Sequence, residues 1–367
     1  MTAVEELVRA EITRRGPIPL AEVVDLALYH PGAGFYATSG RAGRRGDFLT
    51  SPEVGSLFGA VVVRALDSWW TRLGEPEVFT VVEAGAGPGT LARTVLTAGP
   101  RCARALRYVL VEPSAAQRRL HTEHLALDPP AFAFASLPDP DEDGDAVVAV
   151  GPVVVSLADL PRAPGPCIVI ANELLDNLAF GLLERTAVGW ADVCVGLEGG
   201  SLIEVLVPTG RSDGPYAVTG SRVPDQSTAA RWVRDARQLA GPGGVVVAFD
   251  YASTTEEMAR RPWSEWVRTY RHHRRGSHPL EHLGEQDITC EVAIDQLPPP
   301  TRETSQADWL RAHGIEALVE EGRTIWRERA AIGDLEAVRA RSRVGEADAL
   351  LDPGGLGGFR VLEWDGS

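Results

Sequence analysis

A chain of 367 residues with 44% apolar content can bury one large core with extensions, or two modest ones. Its formal charge of −15 argues against a general affinity for nucleic-acid backbone, which needs a positive face, and favours a basic peptide as partner. No apolar run approaches the length that crosses a bilayer, so no membrane insertion is expected.

The N-terminal stretch Met1 to Gly16 carries Glu5, Glu6 and Glu11 and lacks an unbroken apolar core. It reads as an amphipathic helix, not as a signal peptide or an acid-poor transit peptide, and a cytoplasmic location is the expectation. Residues 1–75 are expected to form a helical, loop-rich extension that includes a lid. Within it Asp47, Thr50, Ser51 and Glu53 make a polar cluster. Ser51-Pro52-Glu53 suits a helix start, with Ser51 as cap and Pro52 at the first position. That reading leaves Gly46-Asp47-Phe48 unexplained, so the segment is expected to fold over a cofactor.

Residues 76–367 are expected to form one α/β domain. From about Phe79 to Tyr251 short apolar runs alternate with helical stretches, the pattern of a parallel sheet with crossover helices. Phe79–Glu83 runs into a glycine loop, Leu106–Val111 ends at Glu112, Cys167–Ala171 at Asn172, and Val245–Phe249 at Asp250. Each strand thus presents a polar group at its carboxyl edge, where open α/β sheets place ligands. A fifth strand over Val147–Ser156 is interrupted by Gly151-Pro152. Phe180–Val207 alternates with glycine turns and reads as inserted antiparallel strands, around residues 180–208. Residues around 255–330 are expected to supply substrate-side elements, and the tail from Thr304 is mostly helical. The four cysteines are far apart with no CxxC pair, so neither a zinc site nor a disulfide framework is indicated. His272, His273, His278 and His282 have no H-E-x-x-H pattern around them; they read as surface residues, and no metal is expected.

The segment Glu83-Ala84-Gly85-Ala86-Gly87-Pro88-Gly89-Thr90 lies between a strand and a helix, which Thr90 could cap. Its glycines let the backbone turn sharply and approach a ligand. A dinucleotide fingerprint counted from Gly85 would need a small residue where Thr90 stands, and a Walker loop needs a lysine that the sequence lacks. The spacing E-x-G-x-G-x-G resembles instead the first motif of class I methyltransferases. Glu83, Gly85, Gly87 and Gly89 are therefore candidate ligands of S-adenosyl-L-methionine. Glu112, followed by Pro113 and the candidate cap Ser114, could accept both ribose hydroxyls.

Several longer segments carry a more specific likeness: Tyr29 to Gly59 (YHPGAGFYATSGRAGRRGDFLTSPEVGSLFG), EAGAGPGTLA, ANELLDNLAF at Ala171–Phe180, and FDYA at Phe249–Ala252. YRHHR at Tyr270–Arg274, GEQDITCEV at Gly284–Val292 and TSQADWLRAHGI at Thr304–Ile315 continue it. Together these resemble the MidA-like family of S-adenosylmethionine-dependent methyltransferases, bacterial relatives of the mitochondrial arginine methyltransferase that assists complex I assembly. The resemblance implies a Rossmann-like class I fold and protein arginine N-methylation of a respiratory NADH dehydrogenase (complex I) subunit. It also implies that Asp47, Thr50, Ser51 and Glu53 assist cofactor binding. Two departures stand out: Ala252 where the family usually has glycine, a small change, and Asn177-Leu178-Ala179 where it commonly has Ala-Leu-Pro, which flanks the expected substrate pocket.

An arginine acceptor needs carboxylates that hold its guanidinium by paired hydrogen bonds and leave one nitrogen free. Glu173 and Asp176 are the candidates, with Asn172 beside them as a neutral amide. If the chain is helical from Leu174, the two acids share a face; the alternative is a plain helix start capped by Asn172. Asp287 and Thr289 are candidates for the substrate wall, or else a strand-entry turn. A small-molecule methyltransferase and a non-catalytic cofactor-binding assembly factor are the competing readings. A homodimer is left open.

Overall fold

Apolar, β-branched runs dictate the central sheet. Its strands are β1 (Phe79–Ala84), β2 (Leu106–Val111), β3 (Val153–Leu157), β4 (Cys167–Asn172), β5 (Val245–Asp250), β6 (Arg302–Ser305) and β7 (Arg360–Asp365). The computed structural model describes residues 1–38, 50–134, 150–162, 165–212, 214–271 and 274–367. The spatial order is β3-β2-β1-β4-β5-β7-β6. β1 runs parallel to β2 and β4, β2 to β3, and β4 to β5, while β6 and β7 are antiparallel. Because the first three strands run outward one way and β4 and β5 the other, the order reverses between β1 and β4. Ligand crevices open at such a switch point, beyond the carboxyl ends of the strands. β1, β2 and β5 are buried along their whole length, as expected of strands covered on both faces. The expected fifth strand begins only at Val153, after the Gly151-Pro152 interruption; residues 135–149 lie outside the described residues.

The chain divides into two compact units. One combines Leu49–Asn172, Ala236–Phe249 and Thr301–Ser367; the other combines Met1–Phe48, Glu173–Asp235 and Asp250–Pro300. A boundary near residue 75 does not follow this division, since the helix Ser56–Arg72 belongs to the core of the sheet-bearing unit. That helix buries Leu57, Val61, Ala65 and Trp69, a repeat of four that makes one apolar stripe. Phe249 of β5 is wedged edge-on between Phe58 and Trp309, with ring centres 5.4 and 4.9 Å away. The helix has no cap of its own; the backbone N–H of Leu57 donates instead to Glu346, 289 residues later, at 2.8 Å.

The other unit opens with the predicted amphipathic helix, Ala3–Arg15. It is started by a capping box between Thr2 and Glu5 and buries Val4, Val8 and Ile12. The alternating segment forms the antiparallel strands Gly181–Thr186, Gly189–Glu198 and Ser201–Pro208. Two strands not foreseen join them: Arg222–Asp225, and Ile18–Pro19 from the N-terminal segment. A small three-stranded sheet is formed by Val267–Arg271, Arg274–Arg275 and Asp287–Cys290. No helix among the described residues is long and apolar enough to cross a membrane.

Candidate active site

The glycine loop leaves β1 with three left-handed residues: φ is 67° at Gly85, 53° at Gly87 and 81° at Gly89. A side chain at any of them would strain the backbone. At Gly89 a Cβ would also press within 3.2–3.3 Å of Leu110, His121 and Leu125. The Glu112 carboxylate, at the end of β2, is spread across the loop: Oε2 accepts the Gly87 N–H at 2.9 Å and Oε1 the Ser114 N–H at 2.8 Å. Burial pushes this carboxyl up, and those two N–H groups pull it back. Ser114 caps the following helix Ala115–His124, as expected.

Glu83 does not open toward the loop. Its Oε2 accepts the Tyr108 hydroxyl at 2.7 Å, and the Ala92 N–H also reaches it; burial pushes it up to about 7. It braces β1 against β2 and the helix Thr90–Ala98. Thr90 is not the cap of that helix. Gly89 takes the cap position, and the Thr90 hydroxyl donates to Glu53 at 2.6 Å. Ser51 is likewise not a cap: Thr50 precedes the short helix Ser51–Val54, and the Ser51 hydroxyl is fully buried against Gln306, 3.1 Å away. Asp47 lies outside the described residues.

The expected helix after β4 is absent. The turn that follows Asn172 has Glu173 in the left-handed region, φ 50°, and then a short 3-10 helix, Leu175–Asn177. Asp250 Oδ2 accepts the N–H groups of both Leu175 and Asp176, at 3.0 and 3.3 Å, donors that the first turn of a helix leaves without an intrahelical partner. Glu173 and Asp176 are consequently not equivalent. Glu173 is half-buried. Asp176 is buried, taking hydrogen bonds from the Tyr251 hydroxyl and, at 3.1 Å, from the Asn177 amide. Burial pushes it up to about 6 despite those donors. Asp250 is also raised, by burial and by the charges of Asp176 and Glu173.

The chain of hydrogen bonds continues through Asn177, whose Oδ1 accepts from the Tyr36 hydroxyl at 2.7 Å, and Tyr36 also lies 3.0 Å from Asp287. Tyr29 stacks on Tyr36 and donates to the Asn177 carbonyl. Asp287 is thus joined to Asp176 through two side chains, and Thr289 is buried two residues along the same strand. The departure at Asn177 is therefore a structural link and not a neutral change. Ala252 lies in a two-residue strand beside Val292.

Residues 61–313 match the family of S-adenosyl-L-methionine-dependent methyltransferases. The chain belongs to this family. A Drosophila melanogaster protein named protein arginine methyltransferase NDUFAF7 homolog, mitochondrial, is 29% identical over 77% of the chain and 66% of its own length. The human protein arginine methyltransferase NDUFAF7, mitochondrial, is 28% identical over 51% and 44%. The chain thus spans from under half to about two thirds of the length of these curated relatives. A Burkholderia thailandensis protein crystallised with S-adenosyl-homocysteine superposes with a TM-score of 0.80 at 25% identity, covering 98% of this chain and 91% of the other.

The family is described as dependent on S-adenosyl-L-methionine, and the residues of the glycine loop fit that cofactor. A bare left-handed glycine backbone admits a close ligand. Each Glu112 oxygen, having accepted one N–H, keeps a lone pair for a ribose hydroxyl. No cluster of His, Cys, Asp or Glu suited to a metal occurs among the described residues. His278 pairs with Glu204 at 3.3 Å, and His272 and His273 lie outside those residues. All four cysteines are free and buried. Sequence reasoning assigned no role to Asp250, Tyr251 or Tyr36. The first two carried a signal, an Asp-Tyr pair directly after a buried strand; Tyr36 carried none, because its partners lie 141 and 251 residues away.

Proposed function

We propose that this methyltransferase is a protein arginine N-methyltransferase whose acceptor is a subunit of the respiratory NADH dehydrogenase. The observation that carries the proposal is the charge balance of the turn after β4. Glu173, Asp176 and Asp250 are buried or half-buried carboxylates, and the hydrogen-bond partners of Asp176 and Asp250 among the described residues are neutral hydroxyl, amide and backbone groups. Asp176 and Asp250, buried carboxyl groups with neutral partners, favour a cationic ligand nearby, and a guanidinium supplies the charge together with five donors. The left-handed φ of Glu173, uncommon for a residue with a Cβ, adds a strained position of the kind found at functional sites. The names of the Drosophila and human relatives support an arginine acceptor, and the sequence resemblance supports the respiratory target.

The cofactor, when bound, supplies a methyl group activated by a sulfonium. Gly85, Gly87 and Gly89 would hold its methionine end, Glu112 its ribose, and Thr50, Ser51 and Glu53 would close over it. Glu173 would accept paired N–H bonds and leave one guanidinium nitrogen free to attack. Methylation of that nitrogen releases a proton, and Asp176, with its proton affinity raised toward neutrality, is suited to receive it. Asn172 would add a neutral amide, and Asp287 and Thr289 would wall the acceptor side.

Methyl-labelled cofactor incubated with the protein and respiratory NADH dehydrogenase from a strain lacking this chain, followed by tandem mass spectrometry, tests the proposal. Labelled N-methylarginine on one subunit is the expected result. Label on a small molecule, or on protein residues other than arginine, would overturn it in favour of a different acceptor.

A further inference from the structure

The helix Ala115–His124 starts three residues beyond Glu112. On it, His121 is completely buried. Its Nε2 lies 2.8 Å from the Gly87 carbonyl oxygen, and its Nδ1 lies 2.8 Å from the Ser156 hydroxyl near the end of β3. A carbonyl can only accept, so Nε2 carries the hydrogen. In the neutral ring Nδ1 is then the acceptor, and Ser156 donates to it. Burial disfavours the charged ring and keeps this tautomer.

Gly87 is therefore gripped at both ends of its backbone: Glu112 binds its N–H and His121 binds its C=O. Both grips come from the same stretch of chain, and Ser156 orients one of them. The ring edge also faces Gly89, where a Cβ would come within 3.3 Å of His121 Cδ2. We infer that His121, oriented by Ser156, is a positioning residue that fixes the Gly87 peptide for S-adenosyl-L-methionine. It needs no contact with the cofactor, and its effect falls on affinity, not on the chemical step. This inference is independent of the acceptor's identity; it rests only on the placement of the cofactor at the glycine loop.

Two substitutions separate the Gly87 bond from simple packing. In His121→Gln the amide reaches the position of ring Nε2 and keeps a donor for the Gly87 carbonyl. In His121→Asn the amide stops near Nδ1 and leaves that carbonyl without a donor. Losing a buried partner in this way is expected to weaken binding about tenfold. Calorimetry with S-adenosyl-L-methionine should give a Kd raised fivefold or more for the Asn variant and by less than fivefold for the Gln variant. Turnover at saturating cofactor should be unchanged in both. Equal affinities for the two variants, strong or weak, would overturn the role of His121. Should these variants fail to fold, Ser156→Ala decides: a Kd raised threefold or more supports the inference, and a smaller change overturns it. Gly87→Val separates the premise from the inference. Parent-like affinity in Gly87→Val removes the cofactor placement itself, whereas its loss beside a parent-like His121→Asn removes only the histidine's role.

Discussion

At Glu173 the backbone is left-handed and the carboxylate half-buried, whereas Asp176 three residues later is buried and already holds two donors. Substituting the two acids should therefore have different consequences. Glu173→Gln keeps size and removes the charge that would pair with a guanidinium. Charge-assisted hydrogen bonds contribute roughly 1.5–3 kcal/mol, so turnover should fall about tenfold to a hundredfold while cofactor affinity stays at the parent value. Steady-state kinetics beside calorimetry reads both; parent-rate turnover would mean that Glu173 serves only to shape the turn. Asp176→Asn sets a second amide against the donors of Asn177 and Tyr251. One donor then loses its acceptor in a buried place, so this change should destabilise the fold by about 1–3 kcal/mol as well as reduce turnover. Urea unfolding checks it: an unchanged midpoint would show that the network rearranges without loss.

At the scale of elements, the short helix Ser51–Val54 is tied to the glycine-loop helix by the bond from Thr90 to Glu53. A four-residue helix has little stability of its own, so contacts decide whether it is ordered. If the segment closes over the cofactor, amide exchange across Thr50–Gly55 should slow at saturating S-adenosyl-L-methionine, by about tenfold for each 1.4 kcal/mol gained. Exchange that is the same with and without cofactor would reject the lid. These residues also show where sequence reading succeeds and where it stops. The strands β1, β2, β4 and β5 were legible because burial on both faces demands unbroken apolar runs, and the glycine loop because left-handed backbone demands glycine. The caps were misread, since Thr90 and Ser51 prefer partners 37 and 255 residues away over the local N–H groups. After Asn172 the chain takes a left-handed residue and a three-residue 3-10 helix in place of the expected α-helix, and Asp250, which accepts the N–H groups of this turn, lies 75 residues on from Leu175. The pairing of Ile18 with Val195 left no local trace, because a two-residue strand has too few positions to show alternation.

For the whole molecule, the carboxylates withdrawn from water set how stability depends on pH. Burial pushes Glu83 up to about 7 and Asp176 up to about 6, and it raises Glu112 and Asp250 as well. In the unfolded chain such groups titrate near their ordinary values of 4.5 and 3.8. Between the unfolded and folded values the folded protein holds protons that the unfolded chain has released, so stability rises as pH falls through this window. Above pH 7 Glu83 and Asp176 are ionised in both states and their unfavourable burial is fully felt; for Glu83 the rise from 4.5 to about 7 corresponds to roughly 3 kcal/mol. The net charge of −15 acts in the same direction, because mild acidification reduces self-repulsion. Other groups oppose it. His121 and His313 are lowered by burial, so the unfolded chain gains protons near 6.5 and below. Glu204, raised by burial but brought down to about 2 by His278 and Arg222, contributes stability that is lost only as pH falls below the ordinary carboxylate value. The thermal midpoint should therefore be highest near pH 6 and decline toward pH 8, at constant ionic strength. Glu83→Gln isolates the contribution of one such group: its amide oxygen can still accept from Tyr108, but the group no longer ionises. This variant should be more stable than the parent at pH 8, by about 1–3 kcal/mol, and should show a shallower decline between pH 6 and pH 8. Thermal unfolding of both proteins at about pH 6, 7 and 8 settles the matter. A parent midpoint that climbs toward pH 8, or a Glu83→Gln variant with the parent's slope, would mean that Glu83 is not held protonated by the fold.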